Sequence, residues 1–125
     1  MKYNSIGEVS AKFNIPESAL RYYEKKGLLP LIERDDAGRR LFSERQIGLL
    51  QAVVCLKNTH MPIKSIRQYM EWIVEGDATL KHRLDMMKAH KQRILDKIAM
   101  LTEYLPTIDE KIERYIKQNE EEERP

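Results

Sequence analysis

SIGEVSAKFNIPESALRYYEKKG, residues 5–27, is the stretch from which the fold is read. Ser5 and Glu8 stand at capping-box spacing, where each side chain satisfies an orphan amide at a helix start. Ile6, Val9 and Phe13 fall on one face, which predicts a short helix over 5–12. Asn14-Ile15-Pro16 reads as a turn, and Pro16 suits a helix entry because its missing N–H would have no partner there. A second helix is expected over 17–26, burying Leu20 and Tyr23, with Gly27 as its left-handed stop. Two short helices joined by a tight turn make a helix-turn-helix, whose second helix is shaped to enter a major groove.

Downstream, Leu31-Ile32 and Leu41-Phe42 flank the polar turn Asp35-Asp36-Ala37-Gly38, which predicts a small β-hairpin carrying Arg34, Arg39 and Arg40. A basic hairpin directly after a helix-turn-helix is a wing, suited to phosphate contact. Ser43 and Gln46 repeat the capping-box spacing and open a third helix of about 15 residues. Its apolar positions (Ile47, Leu49, Leu50, Val53, Val54, Leu56) surround most of the helix, which makes it the core of the head. Met61-Pro62 starts a fourth helix reaching about Val74, with Ile63, Ile66, Met70 and Ile73 inward, and Glu75-Gly76-Asp77 breaks it.

From Leu80 the apolar spacing alternates three and four: Leu80, Leu84, Met87, Ile94, Ile98, Leu101, Leu105, Ile108, Ile112 and Tyr115, with Lys91 as the polar intruder. This is an a/d heptad seam. A continuous helix over it would be roughly 54 Å long at about 1.5 Å per residue. A head this small leaves such a seam unburied, so a symmetry mate is the expected partner. Pro106 lies in the seam, and because it removes a helical hydrogen bond a kink or break is expected there. The expected divisions are a winged helix-turn-helix head with two linking helices over 1–75, a coiled-coil dimerisation helix over 76–119 and a charged, frayed tail over 120–125. The fold class is mostly α.

Composition narrows the function classes. One cysteine cannot form an internal disulfide, which suits a reducing, cytoplasmic setting. No apolar run reaches membrane-spanning length, and the start MKYNSIGEVS lacks a signal-peptide core. Residues 1–72 carry 12 Lys+Arg against 8 Asp+Glu, and residues 73–125 carry 10 against 12. A basic head and a slightly acidic tail suit nucleic-acid binding joined to a second role. Paired acid–base carboxylates, a Gly-rich phosphate loop and a nucleophile–base spacing are all missing, so no enzyme and no cofactor is expected. His82, Met86 and His90 share one helical face but lack further strong ligands, so no metal site is expected.

The run ALRYYEKKGLLP, residues 19–30, followed by GRRLFSERQI, residues 38–47, resembles the MerR family of transcription regulators. The family's wing exit is normally Gly-Tyr-Arg-x-Tyr; here Arg39 and Phe42 replace the two tyrosines and remove their hydroxyls. The resemblance implies a homodimer, joined through an antiparallel coiled coil, on double-stranded promoter DNA. Ser18, Arg21, Tyr22 and Lys25 would face the groove, and Arg39 and Arg40 the phosphates, with Arg40 as the main clamp outside the helix. It implies further that the dimer bends and untwists an over-long promoter spacer for RNA polymerase, which is deformation readout. Soft-metal and iron–sulfur members need more cysteines than this chain has, and drug-sensing members carry a large extra domain for which 125 residues leave no room. Cys55, in VVCLKN, resembles the lone cysteine of aldehyde-, electrophile- and redox-responsive members of the AdhR and NmlR kind. The resemblance implies a sensor thiol, with Lys57 and Lys64 as cationic groups favouring the thiolate. The alternatives are a packing role for Cys55, with control by a small ligand or a protein partner at the C-terminal helix, where Glu120 to Glu123 could be read.

Overall fold

The computed structural model describes residues 2–30 and 32–124, so Leu31 of the expected wing and Pro125 of the tail lie outside the described residues. The chain is mostly helical. It runs α1 (Ile6–Phe13), α2 (Glu17–Lys25), β1 (Glu33–Arg34), β2 (Arg40–Leu41), α3 (Glu44–Asn58), α4 (Ile63–Glu75), a 3-10 turn (Asp77–Thr79) and α5 (Leu80–Glu123). Two compact units result, Met1–Met86 and Met87–Pro125.

In the first unit, helix ends decide the angles between helices, and three of them stop alike. After α1, Ile15 N–H donates to Ser10 O and Asn14 N–H to Ala11 O. After α2, Leu28 N–H donates to Tyr23 O and Gly27 N–H to Glu24 O. After α3, Met61 N–H donates to Leu56 O and His60 N–H to Lys57 O. Each is a Schellman stop, in which one left-handed residue turns the chain and two orphan carbonyls gain donors. The left-handed residues are Asn14 (φ 53°), Gly27 (φ 78°) and His60 (φ 68°). A proline follows each within three residues, at Pro16, Pro30 and Pro62, and prevents the helix from resuming through the turn.

The starts agree with their spacing in one case and half agree in the other. Ser5 and Glu8 form the full capping box over α1. Ser43 Oγ accepts from Gln46 N–H at 3.2 Å, but the Gln46 side chain does not reach back. Its Nε2 donates instead to Pro30 O at 2.7 Å, which ties α3 to the end of the α2 turn. A buried amide takes the strongest acceptor available to it, and here that acceptor is 16 residues away.

The core lies where these elements meet. Val9, Leu20, Leu28, Leu29, Phe42, Leu50, Val53, Ile66 and Met70 are essentially inaccessible to solvent. Full burial of each large apolar side chain stabilises the fold by about 1.5–3 kcal/mol. The wing is an antiparallel pair with Glu33 opposite Leu41 and Arg34 opposite Arg40. Asn4 and Phe42 exchange two backbone hydrogen bonds of 2.9 Å, so the chain start is laid beside the wing exit.

The first unit includes the α4–α5 turn, which is held firmly. Thr79 Oγ donates at 2.6 Å to Trp72 O, and Arg83 binds both Thr79 Oγ and Gly76 O at 3.1 Å. Trp72 stacks on His82, with centroids 5.3 Å apart and planes 19° from parallel.

The second unit is helical, and α5 is one helix with Pro106 inside it, where a kink or break was expected. Propagation adds a hydrogen bond per residue, so a 44-residue helix tolerates the loss of one. Nor is residue 119 its end: Glu120 to Glu123, expected as frayed tail, are helical, as the high propensity of glutamate favours. No helix among the described residues is long and apolar enough to cross a membrane.

Candidate nucleic-acid interface

α2 sorts its residues by face. Leu20 and Tyr23 are buried in the core, while Ser18, Arg21, Tyr22 and Lys25 are all exposed. Their spacing of three, one and three places them on a single outward stripe. Arg21 makes only a 3.4 Å pair with Glu17 one turn back, with both side chains about half exposed. Such a pair is weak and gives way readily to a phosphate. Tyr22 is 41% exposed. Its ring lies 6.3 Å from that of Tyr23, tilted by 57°, and Lys26 Nζ sits 5.7 Å from its centroid. The ammonium and the buried neighbour limit the ring's freedom.

The wing stands beside this stripe and is shaped by its own acid. Asp35 Oδ1 accepts from the backbone N–H groups of Ala37 and Arg39 at 3.0 and 2.9 Å, and Gly38 (φ 80°) supplies the left-handed position. Asp35 Oδ2 takes Arg39 Nε at 2.9 Å, although the Arg39 side chain remains 81% exposed. The carboxyl of Asp35 is held below its ordinary range, chiefly by the Arg39 backbone N–H; burial opposes this, and the Arg39 guanidinium and the Ala37 N–H add to the lowering.

Arg40, expected as the main phosphate clamp outside the helix, is engaged within the head. Its side chain is mostly covered, and Nε donates at 2.7 Å to Glu24 Oε1 on α2. The same oxygen accepts from Arg34 at 3.0 Å. Arg34 was expected on the hairpin, but Glu24 was not among the residues singled out from the sequence. The available signal was the single acid between Arg21 and Lys26 on an otherwise basic helix end, a charge that needs a partner. Phe42, at the position of a family tyrosine, is fully buried and belongs to the core.

Cys55 is exposed on α3 and carries a free thiol. Its carbonyl accepts from Thr59 Oγ at 2.7 Å, which leaves the sulfur uninvolved in that bond. Lys57 is not its companion: the ammonium sits 5.7 Å from the Tyr23 ring centroid, and residues two apart do not face each other on a helix. Among the described residues there is no cluster of His, Cys, Asp and Glu that could hold a metal ion.

Along α5 the seam is open in the single chain. Leu80, Leu84, Ile98, Leu101, Leu105 and Ile108 are each about half exposed, and Met87 and Ile94 are half-buried. Large apolar side chains at heptad positions are thus regularly exposed along the single chain.

Residues 4–72 match the model of the MerR HTH regulatory protein family. An uncharacterized HTH-type transcriptional regulator of Haemophilus influenzae is 34% identical over 113 residues, which cover 90% of this chain and 84% of that one. The HTH-type transcriptional regulator AdhR of Bacillus subtilis is 30% identical over 92 residues, covering 74% and 66% respectively. In three dimensions the chain is similar to HiNmlR, a MerR family regulator lacking the sensor domain and bound to promoter DNA. That similarity has a TM-score of 0.88 at 32% identity over 94% of each chain. These relatives are transcription regulators rather than enzymes. The chain belongs to the MerR family of helix-turn-helix regulatory proteins.

Proposed function

We propose that this protein is a homodimeric transcriptional regulator that binds promoter DNA and is switched by modification of Cys55. The observation that carries the DNA reading is the exposed stripe Ser18, Arg21, Tyr22 and Lys25 on α2, set beside a wing that carries Arg39 and Arg40. α2 enters the major groove, where Arg21 and Lys25 meet phosphates and base edges, and Arg39 reaches the backbone beyond the groove. Arg40 contributes from the wing while held by Glu24. Two heads on one dimer read two half-sites, and the exposed α5 seam supports pairing with a second copy. RNA polymerase at the same promoter is the partner that reads the result.

An exposed thiol is open to reagents in solvent, which supports Cys55 as the switch. With an aldehyde, sulfur adds to the carbonyl carbon and the thiol proton moves to the oxygen, giving a hemithioacetal. With a peroxide, sulfur is oxidised to the sulfenic acid as the O–O bond breaks and water leaves. Either change adds polar bulk to α3, whose opposite face is the core. In vitro transcription from the promoter upstream of the gene tests this, comparing wild type with Cys55→Ser, each with and without a small aldehyde or hydrogen peroxide. The expected result is that both bind the DNA and only wild type switches. Equal responses would remove Cys55 from the mechanism. The second reading would then stand, in which a ligand or partner acts at the end of α5. There Ile112, Tyr115 and Ile116 line a shallow groove with Asn119 and Glu122. Truncation after Asn119 would abolish regulation in that case while leaving dimerisation intact.

A further inference from the structure

Arg34 and Arg40 occupy directly opposed positions in the two-stranded wing. Like charges facing each other across an antiparallel pair repel, and in a hairpin with two residues per strand that repulsion is concentrated on one of its two residue pairs. One oxygen offsets both charges: Glu24 Oε1, in the last turn of α2, accepts from Arg40 Nε at 2.7 Å and from Arg34 at 3.0 Å. Arg34 donates through its other terminal nitrogen to Gly38 O at 2.9 Å, so the same guanidinium holds the wing turn. The side chains of Glu24 and Arg40 are 22% and 21% exposed, which sets this pair apart from the solvated pairs elsewhere on the head, while Arg34 is 44% exposed. In water such pairs contribute little; partly covered and shared, they fix geometry.

We propose that Glu24 is a positioning residue for DNA recognition, whose carboxylate locks the wing to α2 so that both can engage one duplex together. This rests on reading α2 and the wing as the DNA interface. The proposal makes a prediction opposite in sign to simple electrostatics. A carboxylate near a polyanion weakens binding, so removing its charge would by itself raise affinity for any duplex. If the carboxylate sets the wing, its removal lowers affinity for the correct duplex, because ordering a loosened wing then opposes binding.

The test uses the full chain with a duplex carrying the promoter upstream of the gene, and a scrambled duplex of equal length, over a range of salt. Glu24→Gln is expected to lose about tenfold on the promoter duplex, the scale of one charge-assisted hydrogen bond, with unchanged or slightly tighter binding to the scrambled one. Hydrogen exchange in the free protein is expected to speed up at the Asp35 and Arg39 amides. In an Arg34→Gln background the loss on the promoter duplex should shrink, since the opposed charge is gone. Glu24→Asp keeps the charge but withdraws the carboxylate by one methylene. It is expected to lose discrimination too, which decides the matter if the glutamine variant fails to fold. Wild-type discrimination by Glu24→Gln, or by Glu24→Asp, with unchanged wing exchange would overturn the proposal. If wild type itself does not distinguish the two duplexes, the DNA reading fails, and the exchange measurement still reports whether Glu24 holds the wing.

Discussion

Asp35 closes the wing with its own side chain, accepting two backbone N–H groups and the Arg39 guanidinium. Each of these favours the ionised form, so its folded pKa lies below the ordinary 3.8. A depressed folded pKa means stabilisation that is fully present above 3.8 and lost as pH falls through the folded value. The turn is therefore expected to stay ordered at neutral pH and to loosen in acid below that point. Asp35→Asn should remove the acid step, as read from the exchange rates of the Ala37 and Arg39 amides; an unchanged acid profile would show that the carboxylate does not hold the turn. The residue scale is also where sequence reading was most uneven. The buried face of α2, Leu20 and Tyr23, was legible from helical period, and the outward residues came with the family resemblance. The engagement of Arg40 was not, because its partner lies 16 residues away on another element.

Pro106 poses the question at the scale of the element. It lacks the N–H that would complete the ladder, a defect that costs about 3 kcal/mol in a helix interior, yet α5 continues from Leu80 to Glu123. The heptad phase is the same on both sides of it, so the seam has a reason to stay one helix. Pro106→Ala is expected to stabilise α5 by up to about 3 kcal/mol, seen as a higher Tm in circular dichroism. A lower Tm would mean that the interface is built around the proline. The other elements show how far local rules reach. Capping boxes, Gly27 and the helix-stopping prolines place element ends to within a residue or two. His60 was invisible to them, since a non-glycine residue is held left-handed only when the surrounding packing requires it.

For the whole molecule, the exposed seam of α5 is the feature a single chain leaves unresolved. Large apolar side chains about half exposed at heptad spacing lower their free energy by pairing with the same surface on a second copy. If the proposed dimer pairs through this seam, Leu101→Lys at its middle is expected to weaken it by at least about 2–5 kcal/mol, the range for losing a buried leucine. Sedimentation equilibrium would show monomer at concentrations where wild type is dimeric. Operator binding should weaken in parallel, because one head reads only one half-site. Unchanged sedimentation would remove the seam from the dimer interface.

What the sequence determined by itself is everything that depends on spacing along the chain. That covers two short helices with a tight turn, a basic hairpin, an apolar third helix and an a/d seam. Periodicity and capping act between residues three or four apart, so they are written locally. Tertiary structure alone decided which polar groups find each other. Gln46 leaves its own helix start for Pro30, Phe42 goes to the core, and Glu24 gathers Arg34 and Arg40. A covered polar group must be satisfied by whatever packing brings near it, and that neighbour is chosen by the fold.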